Sequence, residues 1–248
     1  MFSFDELKIY ERQILFLGEE FQRKLKNKSV AIVGLGGLGS SVAYYLTAVG
    51  VGRIKLIDKD KVELSNLNRQ ILYTTEDVGK FKVDVAYEKL KRLNPYVKFE
   101  KIISEITVEN GKEILRDVDL ILDCTDGWKN KLILNDLSII LNKPLIHAGV
   151  KEFYGQLFFM IPNKTACLRC IVPKGVEEES PIPIIGVTAG LLGILQATEA
   201  IKFLGGLKTN LIGKLLIIDL LSMSFDIIKI ENDEECKKRC QVVSISIS

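Results

Sequence analysis

Residues 34 to 39 read GLGGLG, directly after the β-branched run SVAIV and directly before SSVAYYL, whose apolar spacing is helical. Gly34, Gly36 and Gly39 therefore form a G-x-G-x-x-G turn between a strand and a helix, the setting that gives this pattern physical meaning. Without side chains the strand can turn sharply, backbone amides can approach a phosphate, and the helix N-terminus favours the anion. A tight strand-to-helix turn with no ligand is the plainer alternative.

The alternation continues along the chain. RIKLID, VKFEKI, VDLILDCTD and KPLIHAGV are strand-like, while residues 80–93, 107–115 and 129–141 carry helical patterns. Strands alternating with helices build βαβ units. The predicted class is α/β, a Rossmann-like, mainly parallel sheet with helices on both faces. After residue 150 the rhythm changes: GQLFFMI, GKLLIIDL and SFDIIKI predict antiparallel strands extending the sheet around a long helix over 186–204. The 248 residues read as a single domain (1–248), with a nucleotide-binding part (1–150) and a second part (151–248). Within the second part, VPKGVEEESPIPI (172–184) has three prolines and no periodicity, and is expected to be a mobile surface loop.

Charge excludes several functions. Thirty-four basic and 32 acidic residues leave a net charge of +2, too little to steer the chain toward nucleic acid or anionic lipid. The stretch 186–204 approaches membrane-spanning length, but Gln196, Glu199 and Lys202 are each costly in hydrocarbon, so a buried or interfacial helix of a soluble protein is expected. The start, MFSFDELKIYERQ, lacks a basic n-region and apolar h-region, which points to the cytoplasm. Five cysteines are an odd count and no disulfide framework: Cys167 and Cys170 form one close pair, Cys236 and Cys240 another, and Cys124 stands alone.

The residues beyond the glycine turn separate hydride chemistry from phosphate chemistry. Asp58 ends the second strand, nineteen residues after Gly39, where its carboxylate can accept ribose hydroxyls. A nicotinamide enzyme would next need a general acid or base, and the sole histidine, His147, ends a strand and reads equally well as a packed or hydrogen-bonded residue. Asn66 and Arg69 follow the second strand, Lys82 opens the next helix, and Asp126 ends LILDCTD. Two cations, an amide and a second carboxylate at the carboxyl ends of parallel strands suit a triphosphate with Mg²⁺.

YERQ (10–13), VGLGGLGS, DKDKVELSNLNRQ, VGKFK, DCTD, CLRC and LQATEAIK (195–202), in this order, resemble the ThiF/MoeB/HesA family of adenylating enzymes related to ubiquitin-activating enzymes. The likeness spans nearly the whole chain. It implies ATP-dependent adenylation of the C-terminal glycine carboxylate of a small ubiquitin-like carrier, a β-grasp protein ending in Gly-Gly, for molybdopterin, thiamine or tRNA thiolation. By resemblance Gly36 and Gly37 line the nucleotide, Asp58 binds ribose, Ser65 and Asn66 lie by the phosphates, Arg69 and Lys82 contact them, and Asp126 holds Mg²⁺. Arg12 reaches into the site of a second protomer, which implies a homodimer. Taken singly, Arg12 also reads as a solvated residue on an amphipathic helix and Lys82 as part of an exposed helix face.

Two positions depart from the family. Gly127 stands where DCTD is usually followed by Asn, and residues 171–190 lack the cysteine that many members use for a thioester or acyl-disulfide, Gly175 falling near that place. The chain is therefore expected to stop at the acyl-adenylate, with the persulfide of a separate sulfurtransferase attacking it, and Cys124 is expected to pack as a small hydrophobe. The family pattern of two cysteine pairs implies a structural Zn²⁺ on Cys167, Cys170, Cys236 and Cys240, although the second pair is spaced C-x-x-x-C; two inert free pairs are the alternative. A tRNA threonylcarbamoyladenosine dehydratase-like enzyme and a non-catalytic regulatory partner remain as other functions, the first opposed by CLRC and the second by Arg69, Lys82 and Asp126 together.

Overall fold

The computed structural model describes residues 2–172 and 181–231. The strands are β1 (Ser29–Val33), β2 (Arg53–Ile57), β3 (Lys98–Ile102), β4 (Leu120–Asp123), β5 (Leu145–Lys151), β6 (Tyr154–Met160), β7 (Lys214–Asp219) and β8 (Ser224–Lys229). The helices are α1 (Phe4–Lys26), α2 (Gly37–Ala48), α3 (Lys82–Leu93), α4 (Val108–Leu115), α5 (Trp128–Leu141) and α6 (Gly186–Gly205). One sheet carries all eight strands in the order β3-β2-β1-β4-β5-β6-β7-β8. Pairings among β1 to β5 are parallel, and those of β5–β6, β6–β7 and β7–β8 are antiparallel, as the change of rhythm after residue 150 predicts.

Strand alternation divides the core into two layers. Val30, Ile32, Leu120, Leu122, Leu157 and Phe159 belong to one apolar cluster with side chains of α1, α2, α3 and α6, while Ala31, Val33, Ile121, Phe158 and Met160 belong to another with α4 and α5. Covered on both faces, β1 is buried at every residue, which is why it reads as an unbroken apolar run. The edge strand β3 instead exposes Lys98, Glu100 and Lys101, charges that discourage pairing with another sheet.

Helix α6 packs against α2, β5 and β6. Its buried Gln196 donates to the carbonyls of Asp123 at 3.0 Å and Ile146 at 2.7 Å, and Glu199 pairs with Lys202. Gln196 thus fastens the helix to the sheet, while Glu199 and Lys202 neutralise each other one turn apart. Residues 173–180, most of the predicted surface loop, lie outside the described residues.

Candidate active site

The chain passes from β1 to β2 and β3 on one side, whereas β4 flanks β1 on the other. Loops leaving the carboxyl ends of β1 and β4 therefore part and open a crevice, the usual ligand position in such sheets. A cavity of about 570 Å³ lies there. Gly36, Gly37, Asp58, Arg69, Lys82, Asp126 and Gly127, dispersed over residues 36–127, all line it.

Backbone geometry sets the glycine turn. Gly34 N donates to Ile57 O at 2.8 Å, and a Cβ on Gly39 would lie 2.0 Å from Gly34 O, so the first turn of α2 rests on the loop only because residue 39 has no side chain. Asp58 then ties β2 to this loop: its Oδ2 accepts the Leu35 amide at 2.7 Å and its Oδ1 the Asp60 amide at 2.8 Å. Burial pushes the Asp58 carboxyl up, against the opposing pull of Lys82 and those two amides.

The cations come from two further segments. Lys82, the buried first residue of α3, places Nζ 3.4 Å from Asp60 Oδ2. Arg69 donates through Nη1 to Ser65 O and Asn68 Oδ1, both at 2.9 Å. Ser65 and Asn66 are not among the lining residues. Asn66 is buried, its Oδ1 accepts the Glu63 amide at 3.1 Å, and its carbonyl accepts the amides of Arg69 and Gln70; it shapes the short turn that presents Arg69. Asp126 is exposed on the wall, and Gly127 has φ 71° and ψ 138° as it caps α5. That conformation favours glycine and gives the departure from Asn a backbone reason.

Arg12 is not at the cavity. The motif YERQ splits into inward anchors and an outward charge: Tyr10 is buried and its hydroxyl accepts from Asn94 Nδ2 at 2.8 Å, Gln13 donates to Val49 O at 2.8 Å, and Arg12 is exposed. Leu15 and Phe16, three and four residues further along α1, are 78% and 84% exposed; that spacing puts them beside Arg12 on the helix.

Cys167 is buried and precedes the short turn Leu168–Cys170, whose Cys170 amide donates to Cys167 O at 3.0 Å. Cys236 and Cys240 lie outside the described residues, among which no group of three His, Cys, Asp or Glu side chains could hold a metal. Cys124 belongs to the apolar core, and its thiol donates to Gln196 Oε1 at 3.3 Å. Burial pushes that thiol far up, as expected of a packed residue and not of a nucleophile.

A second groove, about 340 Å³, continues from the cavity over β5 and β6. Trp128, Tyr154, Gln156 and Ile217 line it, and Gly127, Lys131, Gly149, Val150 and Ile182 border both spaces. Beneath their junction His147 is fully buried between Asp123 and Gln156, with Nδ1 2.7 Å from Asp123 Oδ2 and Nε2 3.1 Å from Gln156 Nε2. Burial first, then Lys131, holds the imidazole pKa down despite Asp123. Sequence reading missed Lys131: a lysine five residues past Asp126 looks like any exposed helix position until α5 is docked.

The ThiF family profile matches residues 10–239. A sulfur carrier protein adenylyltransferase of Thermus thermophilus is 40% identical over 244 residues, covering 94% of this chain and 90% of the relative. The sulfur carrier protein ThiS adenylyltransferase of Escherichia coli K12 is 40% identical over 216 residues, 85% and 86% of the two chains. The chain spans about half of a maize adenylyltransferase and sulfurtransferase, MOCS3-1, covering 51% of it at 35% identity over 93% of this chain. Among solved structures, Escherichia coli MccB with MccA-N7isoASN superposes with a TM-score of 0.84 at 26% identity, over 93% of this chain and 73% of MccB.

Proposed function

The chain belongs to the ThiF family, and from that premise we propose that it uses ATP to adenylate the C-terminal carboxylate of a ubiquitin-like sulfur carrier ending in Gly-Gly, as a cytoplasmic enzyme. The observation that carries this reading is the convergence of Asp58, Arg69, Lys82 and Asp126 on one cavity that opens through a glycine-bordered junction into a second groove. A diglycine tail is narrow enough for that junction, and its carboxylate arrives beside the cations. Relatives named as adenylyltransferases of sulfur carriers support the same substrate class.

In the reaction, a carboxylate oxygen of the tail attacks the α-phosphorus of ATP, the bond to the bridging oxygen breaks, and pyrophosphate leaves an acyl-adenylate. Both reactants are anions, and two unit charges 4 Å apart repel by about 4 kcal/mol at an effective dielectric of 20. Arg69 and Lys82 offset that repulsion at the phosphates, Asp58 orients the ribose, and Gly36 and Gly37 give backbone access. The oxygen donors on the wall, Asp126 foremost with Gly127 beside it, suit Mg²⁺, which would supply further charge neutralisation. Asn66 and Ser65 serve by presenting Arg69.

A homodimer completes the site in this reading, because Arg12 points outward beside exposed Leu15 and Phe16 and acts on the neighbouring protomer. The antiparallel extension receives the carrier, consistent with exposed Tyr154, Ile217 and Ile228 on β6, β7 and β8. The whole chain is one adenylation domain with a nucleotide half and a carrier half. Cys167, Cys170, Cys236 and Cys240 hold structural zinc as thiolates. A sulfurtransferase persulfide then consumes the adenylate.

Pyrophosphate exchange into ATP, assayed with each β-grasp protein ending in Gly-Gly from the same genome, tests the reading. Exchange dependent on one or more carriers, and abolished in Lys82→Ala, Arg69→Ala and Asp126→Ala, is the expected result. Absence of exchange with every carrier overturns it.

A further inference from the structure

We propose that Lys131, with Asp123 and His147, is a positioning device that holds the tail groove in register with the Asp126 turn; this rests on the adenylation reading of the site.

Lys131 is 6% exposed yet borders both the nucleotide cavity and the second groove. Its Nζ donates to Thr125 O at 2.6 Å and Ala148 O at 2.9 Å, and lies 3.5 Å from Asp123 Oδ2. An ammonium has three protons, so three protein acceptors use all of them and none is left for a phosphate. Lys131 therefore acts through what it holds. Thr125 immediately precedes Asp126, and Ala148 immediately precedes Gly149 at the junction. One cation thus clamps the loop leaving β4, which carries Asp126, to the middle of β5, whose Gly149 and Val150 border the tail groove.

A second connection runs parallel to the first. Asp123 Oδ1 accepts the Thr125 hydroxyl at 2.7 Å and the Thr125 amide at 3.1 Å, while Oδ2 faces His147 Nδ1. With Nδ1–H donating to the carboxylate, Nε2 accepts from the Gln156 amide, which lines the second groove. Trp128, the sole tryptophan, stacks on the His147 ring at 5.8 Å between centroids and faces the same groove. Substitution of Lys131 alone would strand a buried carboxylate, a large and uninformative destabilisation. The ladder predicts a more specific loss once that charge is also removed.

The test compares wild type, Lys131→Met and the double variant Asp123→Asn/Lys131→Met. The double variant, lacking both buried charges, should melt closer to wild type than the single one. Its affinity for the Mg²⁺ complex of a non-hydrolysable ATP analogue should fall by far less than kcat/KM for the carrier, which drops about 100-fold, the scale of an ångström-sized misplacement. Carrier added to the analogue complex should change Trp128 fluorescence in wild type and much less in the double variant. Carrier kcat/KM near wild type in the double variant overturns the proposal. So do parallel losses of ATP-analogue affinity and carrier turnover that track only the folded fraction. Wild-type protein that exchanges pyrophosphate with no carrier overturns the underlying reading, and this proposal with it.

Discussion

Asp58 and Leu35 are joined by a 2.7 Å hydrogen bond from the Leu35 amide to one carboxylate oxygen, although 23 residues separate them. The bond pins the glycine loop to the end of β2, and the other oxygen holds the Asp60 amide at 2.8 Å. Asp58→Ala should weaken Mg²⁺-ATP binding by about 1.5–3 kcal/mol, the scale of hydrogen bonds to a charged group. Calorimetry on both proteins checks this, with NAD as the control ligand; wild type should bind Mg²⁺-ATP and not NAD.

Cys124 fills a core site and shares a hydrogen bond with Gln196. Cys124→Ala should cost about 1 kcal/mol of stability through an under-filled site and leave carrier-dependent pyrophosphate exchange intact. Non-reducing electrophoresis and intact-mass analysis should detect no covalent carrier adduct in either protein. An adduct that disappears in the variant would assign Cys124 a nucleophilic role.

Arg12 sits on the exposed side of α1, outside the cavity of its own chain. If it serves the second protomer, Arg12→Ala and Asp126→Ala are each inactive, while an equimolar mixture regains about a quarter of wild-type exchange, because half the dimers are mixed and each holds one intact site. A mixture that stays inactive after subunit exchange contradicts action in trans.

Reduced, metal-replete protein should contain about one zinc per chain by elemental analysis, the stoichiometry of a closed four-thiolate site. Cys167→Ser/Cys170→Ser should lose it. Zinc-free wild type would remove the site, leaving the cysteine pairs to thiol or disulfide chemistry.

Asp77 is 7% exposed. Burial opposes its charge, but Lys89 and the Thr74 amide and hydroxyl outweigh it and hold the pKa at about 2, below the roughly 3.9 of an unfolded aspartate. The folded state then binds fewer protons than the unfolded chain, so this stabilisation is fully present above about pH 4 and is lost as pH falls toward 2. Urea unfolding across that window should show about 2 kcal/mol less loss in Asp77→Asn than in wild type.

Much of the cavity lining was legible because each residue sits near a strand end that its own neighbours define. A strand followed by G-x-G-x-x-G, a strand followed by Asp58 and a strand followed three residues on by Asp126 place three loops at the carboxyl end of a parallel sheet. Asn66 plays a part that spacing does not give: only the closed turn reveals its Oδ1 accepting the Glu63 amide and its carbonyl holding the amides of Arg69 and Gln70. YERQ concealed a similar division, since its spacing does not reveal that Tyr10 and Gln13 anchor the helix while Arg12 faces outward.

Local periodicity and turn chemistry therefore determined the α/β class, the mainly parallel sheet of the first half, the antiparallel extension and the loops that line the cavity, all properties of short contiguous segments. Tertiary structure alone decided what Lys131, His147 and Gln156 do. Their partners lie on β4 and β5, across sequence separations that no residue pattern encodes, and burial turned an ordinary-looking lysine into a clamp. A cation's role depends on which acceptors surround it, and those acceptors meet only when the strands pair and α5 docks.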